Sequence, residues 1–72
     1  MEILVFKTDI KSKRRIERVE WIFNQHPYIA DWSVDLQDVD KVLRVEARSK
    51  LKEDDVIDII RTFGYTCEVL PD

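Results

Sequence analysis

The spacing of the apolar residues changes repeatedly along this chain, and that succession constrains the fold more than any other feature. Residues 2–8 are mostly β-branched or apolar and the run is too short for a helix, which predicts a strand. Residues 12–26 then repeat apolar side chains at steps of three and four, which is typical of a helix with one buried face. Residues 31–37 alternate strictly between polar and apolar, which predicts a half-buried strand.

The second half of the chain repeats this succession. Residues 41–48 alternate again and are predicted to form a hairpin with the preceding strand through the turn residues Asp38-Val39-Asp40. Residues 52–63 return to helical spacing, with acids in the first turn, where the helix dipole favours them, and with Gly64 at the C-terminal end. Residues 65–70 form a last predicted strand.

The predicted order is therefore β-α-β-β-α-β, which is the ferredoxin-like arrangement. Right-handed crossovers place both helices on one face of a four-stranded antiparallel sheet, so we expect an α+β sandwich. A chain of 72 residues holds one domain, and residues 1–72 are expected to form a single unit. The longest apolar run, residues 3–6, is far shorter than the ~20 residues that cross a bilayer, so no membrane partner is expected.

Soft metal ligands are scarce in this sequence. The single cysteine, Cys67, cannot support a disulfide framework, which favours a reducing compartment such as the cytoplasm. One thiol and the one imidazole, His26, are too few for a closed metal site, and His26 is expected at the far end of the first helix from the loop that precedes it. The residues therefore predict no cofactor.

The distribution of charge is more informative than the net charge of −3. Bases are concentrated in residues 7–18, whereas acids dominate residues 31–40 and 53–58. A dipolar surface of this kind suits docking to a charged partner, although ordinary solubility charge explains the same pattern. The acidic sequence pI of about 5.1 argues against a dedicated nucleic-acid binder.

The first predicted helix carries the candidate docking residues. Arg14, Arg18 and Trp21 follow one another at steps of four and three and face away from the expected core. Because Trp and Arg are enriched at interaction hot spots, this stripe predicts contact with an acidic protein partner. The alternative is that Trp21 stacks on Arg18 or packs at the helix edge. The full set of docking candidates is Lys11, Lys13, Arg14, Arg15, Arg18 and Trp21. A homodimer is a further option, because the acidic stretches of the same chain complement these bases.

Two short motifs relate the chain to a known family. Val34-Asp35-Leu36 matches one of the family's strands, and Gly64-Tyr65 matches a pair near its C-terminal end. Over nearly its whole length the chain resembles the heavy-metal-associated (HMA) domain of copper chaperones and metal-pumping ATPases. That family carries Met-x-Cys-x-x-Cys after the first strand. Counting back from Val34 places Ile10 at the methionine and Ser12 and Arg15 at the two cysteines.

With these three replacements, the resemblance still implies the family's fold but argues against the family's metal-binding activity. Soft Cu(I) and borderline Zn(II) select thiolate ligands, whereas Ser12 offers a neutral hydroxyl and Arg15 a fixed positive charge. We therefore expect an HMA-like domain that has lost metal binding and acts by protein contact. Residual metal handling, as in a metallochaperone, is one alternative.

A third reading is an anion-binding or acylphosphatase-like module on residues 11–15, where bases meet a helix N-terminus. Acylphosphatase-like enzymes cradle their substrate on a Gly-rich loop, and the loop here contains no glycine. Enzymatic activity is therefore not expected.

Overall fold

The predicted order of elements is confirmed in a computed structural model that describes residues 2–48 and 50–70. The elements are β1 (Glu2–Thr8), α1 (Lys13–Gln25), β2 (Ile29–Asp35), β3 (Val42–Ala47), α2 (Glu53–Thr62) and β4 (Cys67–Val69). The strands form one sheet in the order β2-β3-β1-β4, and every pairing is antiparallel. This is the ferredoxin-like α+β sandwich.

A single hydrophobic core joins both helices to one face of the sheet. Phe6 of β1 lies opposite Leu43 of β3, and both are fully buried. Val19 and Phe23 of α1 and Val56 and Ile60 of α2 are also fully buried in this cluster. Because the buried residues of each strand alternate with exposed ones, the other face of the sheet carries charged side chains such as Arg44.

The ends of several elements differ from the predicted bounds. β2 begins at Ile29, is irregular between Ile29 and Asp31, and ends at Asp35, so Leu36 lies in the turn rather than in the strand. Lys41 has a φ of 45°, which lies in the left-handed region, and this residue closes the hairpin turn before β3. β4 is only three residues long, from Cys67 to Val69.

The two aromatic residues after α1 are only partly covered. Tyr28 is exposed. Trp32 is partly buried, packs edge-on against Phe23 with ring centroids 5.2 Å apart, and donates its indole N–H to the Asn24 side chain. The end of α2 is as predicted, because Gly64 there has a positive φ of 87°.

Candidate functional site

Thr8 fixes the loop between β1 and α1, where the family resemblance locates a metal site. Its hydroxyl donates to the Lys41 carbonyl at 2.6 Å and accepts a hydrogen bond from the Ile10 amide at 3.2 Å. Its own amide donates to the Asp40 carbonyl at 3.0 Å. This buried residue therefore ties the end of β1, the β2–β3 turn and the following loop together.

The three positions that align with the family's ligand motif each have a structural role or face solvent. Ile10 is fully buried in the core. Ser12 caps α1, because its hydroxyl accepts a hydrogen bond from the Arg15 amide at 3.3 Å. The Arg15 side chain is exposed. The loop is further held by the Asp9 carboxylate, which accepts from the Thr66 amide at 2.8 Å.

One thiol, that of Cys67, lies near this loop. Cys67 lies opposite Thr8 in the sheet and is buried. Burial raises the pKa of the Cys67 thiol to about 12, and the nearby Glu68 charge adds to that shift. A metal that bound this thiol would have to displace its proton. Within residues 2–48 and 50–70, no cluster of three or more His, Cys, Asp or Glu residues could hold a metal ion.

The start of α1 presents four exposed cations. Lys11, Lys13, Arg14 and Arg15 are exposed, and the first turn of the helix contains no acidic residue. Over the described part of the chain, the one ion pair is Lys7–Asp40 at 3.7 Å. Cations at a helix N-terminus oppose the helix dipole, so this arrangement is not explained by helix stability.

Arg18 and Trp21 continue the exposed stripe of α1, but they differ in their contacts. The Arg18 guanidinium donates to the Tyr65 hydroxyl at 3.3 Å and lies 5.8 Å from the centroid of that ring. Arg18 therefore stacks on Tyr65, not on Trp21. Trp21 is 66% exposed, although it is one of the largest apolar side chains in the protein. We call the six residues Lys11, Lys13, Arg14, Arg15, Arg18 and Trp21 the α1 basic surface.

The two acidic stretches also differ in their contacts. In residues 31–40 the carboxylates bind nearby groups: Asp35 accepts from the Gln37 amide, Asp38 accepts from the Asp40 amide, and Asp40 pairs with Lys7. In α2, Asp55 accepts from the Lys52 amide at 2.9 Å. The remaining acids of that helix, Glu53, Asp54 and Asp58, are exposed.

Comparison with known proteins shows the fold. A scan against protein-family models finds no match, and a search of curated proteins finds none either. A solved structure of the Atx1–Cu(I)–Ccc2a complex matches with a TM-score of 0.85 at 15% identity, over 100% of this chain and 99% of that one. The yeast copper transporter domain Ccc2a matches with a TM-score of 0.83 at 15% identity, over 100% and 99% of the two chains.

A CsoZ metallochaperone is a third match, with a TM-score of 0.78 at 10% identity over 93% of this chain and 96% of that one. The chain therefore has the fold of these structures. No helix of the described residues is both long enough and apolar enough to span a bilayer.

Two contacts of the site could not be predicted from the sequence. The Thr8–Lys41 bond joins residues 33 positions apart, and the Arg18–Tyr65 bond joins residues 47 positions apart. Neither pair leaves a periodic signal in the sequence. A polar residue at the end of an apolar strand, as Thr8 is, was the one local hint.

Proposed function

We propose that this chain is a protein-interaction module of HMA-like fold, in which residues 1–72 act as one domain and the α1 basic surface binds an acidic protein. The observation that carries the proposal is the exposure of Trp21, 66%, on a helix whose first turn holds cations and no acid. Exposed aromatic side chains beside Arg are the usual anchors of interaction hot spots.

The loop between β1 and α1 supports this function because it holds the start of α1 in a fixed position. Thr8 binds the β2–β3 turn, Asp9 binds the loop before β4, and Ile10 is fully buried, so the start of α1 is held from three sides. A surface that is ordered before it binds loses less conformational entropy on association.

A cytoplasmic role fits the state of the cysteine. Cys67 is a free, buried thiol, so the fold does not depend on an oxidising compartment. We propose no enzymatic step.

Affinity capture from lysate of the source organism tests the interaction. The wild-type chain is compared with Lys11→Glu/Arg14→Glu, with Trp21→Ala, and with the control Arg44→Glu/Arg48→Glu, which changes the net charge equally on the other face of the sheet. We expect one protein to bind the wild type and the control at low ionic strength. The same protein should be lost with Lys11→Glu/Arg14→Glu and retained about 30-fold more weakly with Trp21→Ala. Equal capture by all four chains would contradict the proposal.

Metal handling is the second candidate, and the fold shared with copper-handling structures favours it. Anaerobic calorimetric titration with Cu(I) and with Zn(II) tests it. Binding at one ion per chain with a Kd tighter than about 1 μM would support this candidate over the first.

An anion site at residues 11–15 is less favoured. The Ser12 hydroxyl already accepts a hydrogen bond from the Arg15 amide, so this amide is not free to bind an anion.

A further inference from the structure

The two helices expose matching stripes whose charges are opposite at their N-terminal ends. On α1, Arg14, Arg18 and Trp21 form an exposed stripe with the exposed acid Glu17 beside it, and on α2 the exposed stripe consists of Asp54, Asp58 and Arg61. Each stripe follows the same steps of four and three, so each runs straight along its helix. On α2 the acids occupy the N-terminal half and the one base occupies the last turn.

The topology places the basic N-terminal end of α1 and the acidic N-terminal end of α2 far apart on the helical face. α1 begins where β1 ends, and α2 begins where β3 ends. Because β1 and β3 are antiparallel neighbours, the two helices start at opposite ends of the sheet. Both helices pack on the same face, so the basic end of α1 and the acidic end of α2 lie at diagonally opposite corners of that face.

A face with opposite charges at two diagonal corners is complementary to itself. When two such faces meet around a two-fold axis along the other diagonal, each basic corner lies on the acidic corner of the partner. Trp21 lies in the second half of α1, near that axis, so the two indoles would meet in the interior of the contact. An apolar centre with a charged periphery is the usual anatomy of a protein interface.

We propose that a second copy of this chain is the acidic partner of the α1 basic surface, bound face to face through the helices with α1 of each copy on α2 of the other. This inference rests on the proposed function, because it names the partner of the same surface. The acids of α2 suit this role better than those of residues 31–40, where Asp35, Asp38 and Asp40 already bind groups of their own turn.

The size of the face is sufficient for a stable dimer. The two longer dimensions of the molecule are 29 and 28 Å. A face of these dimensions offers on the order of 800 Å² per copy, which is the area that each partner buries in a standard interface. The contact therefore needs the whole helical face, including Trp21 at its interior and both charged corners.

Sedimentation velocity at two ionic strengths tests the self-association. At about 0.01 M, where the Debye length is about 30 Å, we expect the wild-type chain to sediment as a dimer. At about 1 M, where the Debye length is about 3 Å, we expect the dimer to weaken strongly. A wild type that remains monomeric at about 1 mM protein and low ionic strength would overturn the proposal.

Charge reversal tests the pairing itself. One variant, Lys11→Glu/Arg14→Glu/Arg15→Glu, reverses three of the four bases and makes both corners acidic. The other, Glu53→Lys/Asp54→Lys/Asp58→Lys, reverses three of the four acids and makes both corners basic. Each variant alone should be monomeric, whereas their equimolar mixture should form a heterodimer, because every corner then meets its opposite. Circular dichroism checks that each variant is folded.

Two further variants complete the design. The control Arg44→Glu/Arg48→Glu should still form a dimer, and Trp21→Ala should weaken the dimer about 30-fold. A dimer that persists in both charge-reversed variants, or a folded mixture that stays monomeric, would overturn the second-copy partner. Capture of a different protein that depends on Lys11, Arg14 and Trp21 would then still support the proposed function, so the two failures are distinguishable.

Discussion

The hydroxyl of Thr8 is the single group on which the candidate loop most depends. Replacing Thr8 by Val keeps the shape of the side chain and removes only the oxygen. That oxygen accepts from the buried Ile10 amide and donates to the Lys41 carbonyl. The substitution therefore leaves a donor and an acceptor without partners, and it creates no cavity.

The expected cost follows from these two groups. A buried amide without an acceptor costs about 1–3 kcal/mol, and the half-buried Lys41 carbonyl adds about 1 kcal/mol. We expect Thr8→Val to lower the free energy of unfolding by about 2–4 kcal/mol. For a domain of this size that is a large part of the total stability, and it corresponds to a fall in Tm of roughly 10–25 °C.

Urea denaturation followed by circular dichroism measures this cost. Thr8→Ser is the matched control, because it keeps the oxygen and loses one methyl group, which costs about 1 kcal/mol. The ordering of the variants tests the reasoning: Thr8→Val should be clearly less stable than Thr8→Ser. Equal stability of the two variants would refute the role of the hydroxyl.

Four other substitutions test the packing, the backbone conformation and the thiol pKa that the structure shows. Ile10→Ala should lower the free energy of unfolding by about 2–5 kcal/mol in urea titrations, because Ile10 is fully buried, whereas Val39→Ala, at a residue 90% exposed, should change it by less than about 0.5 kcal/mol. Gly64→Ala should cost about 1–2 kcal/mol in thermal unfolding, because Gly64 has a φ of 87° and an added Cβ meets no atom within 4 Å, so the cost is backbone strain alone. The unfolded chain loses the Cys67 proton near pH 9.0 but the folded chain keeps it until its raised pKa of about 12, so stability should fall as pH rises across that interval. Unfolding measured against pH should show a shallower fall for Cys67→Ala than for the wild type, and identical slopes would contradict the assigned pKa.

The fold follows from local periodicity, which is why the sequence predicts it so well. Val19 and Phe23 repeat at helical spacing, and both are fully buried as the pattern requires. The alternation around Trp32 and Val34 likewise predicts a strand whose inward residues are half-buried. Gly64 marks the end of α2 because its left-handed φ is one that other residues rarely adopt.

The candidate site was less predictable, because its contacts join distant parts of the chain. Spacing places Arg18 on the exposed stripe of α1 but cannot show that its guanidinium rests on Tyr65. In the same way, Ser12 is predictable as a helix cap from its position, whereas the role of Thr8 depends on Lys41, a residue in another turn. Periodicity also failed at Leu36, because the turn after β2 begins at that residue and is held by the Gln37 amide, which donates to the Asp35 carboxylate.

Cu(I) competition against a chelator of known affinity tests the central claim most directly, when the wild type is compared with Ser12→Cys/Arg15→Cys. The double variant restores two thiols at the positions that the family resemblance assigns to the ligands. We expect the wild type to leave Cu(I) with the chelator, and the double variant to take up one Cu(I) per chain. Stoichiometric uptake by the wild type would contradict the claim that this chain keeps the HMA-like fold but has lost metal binding.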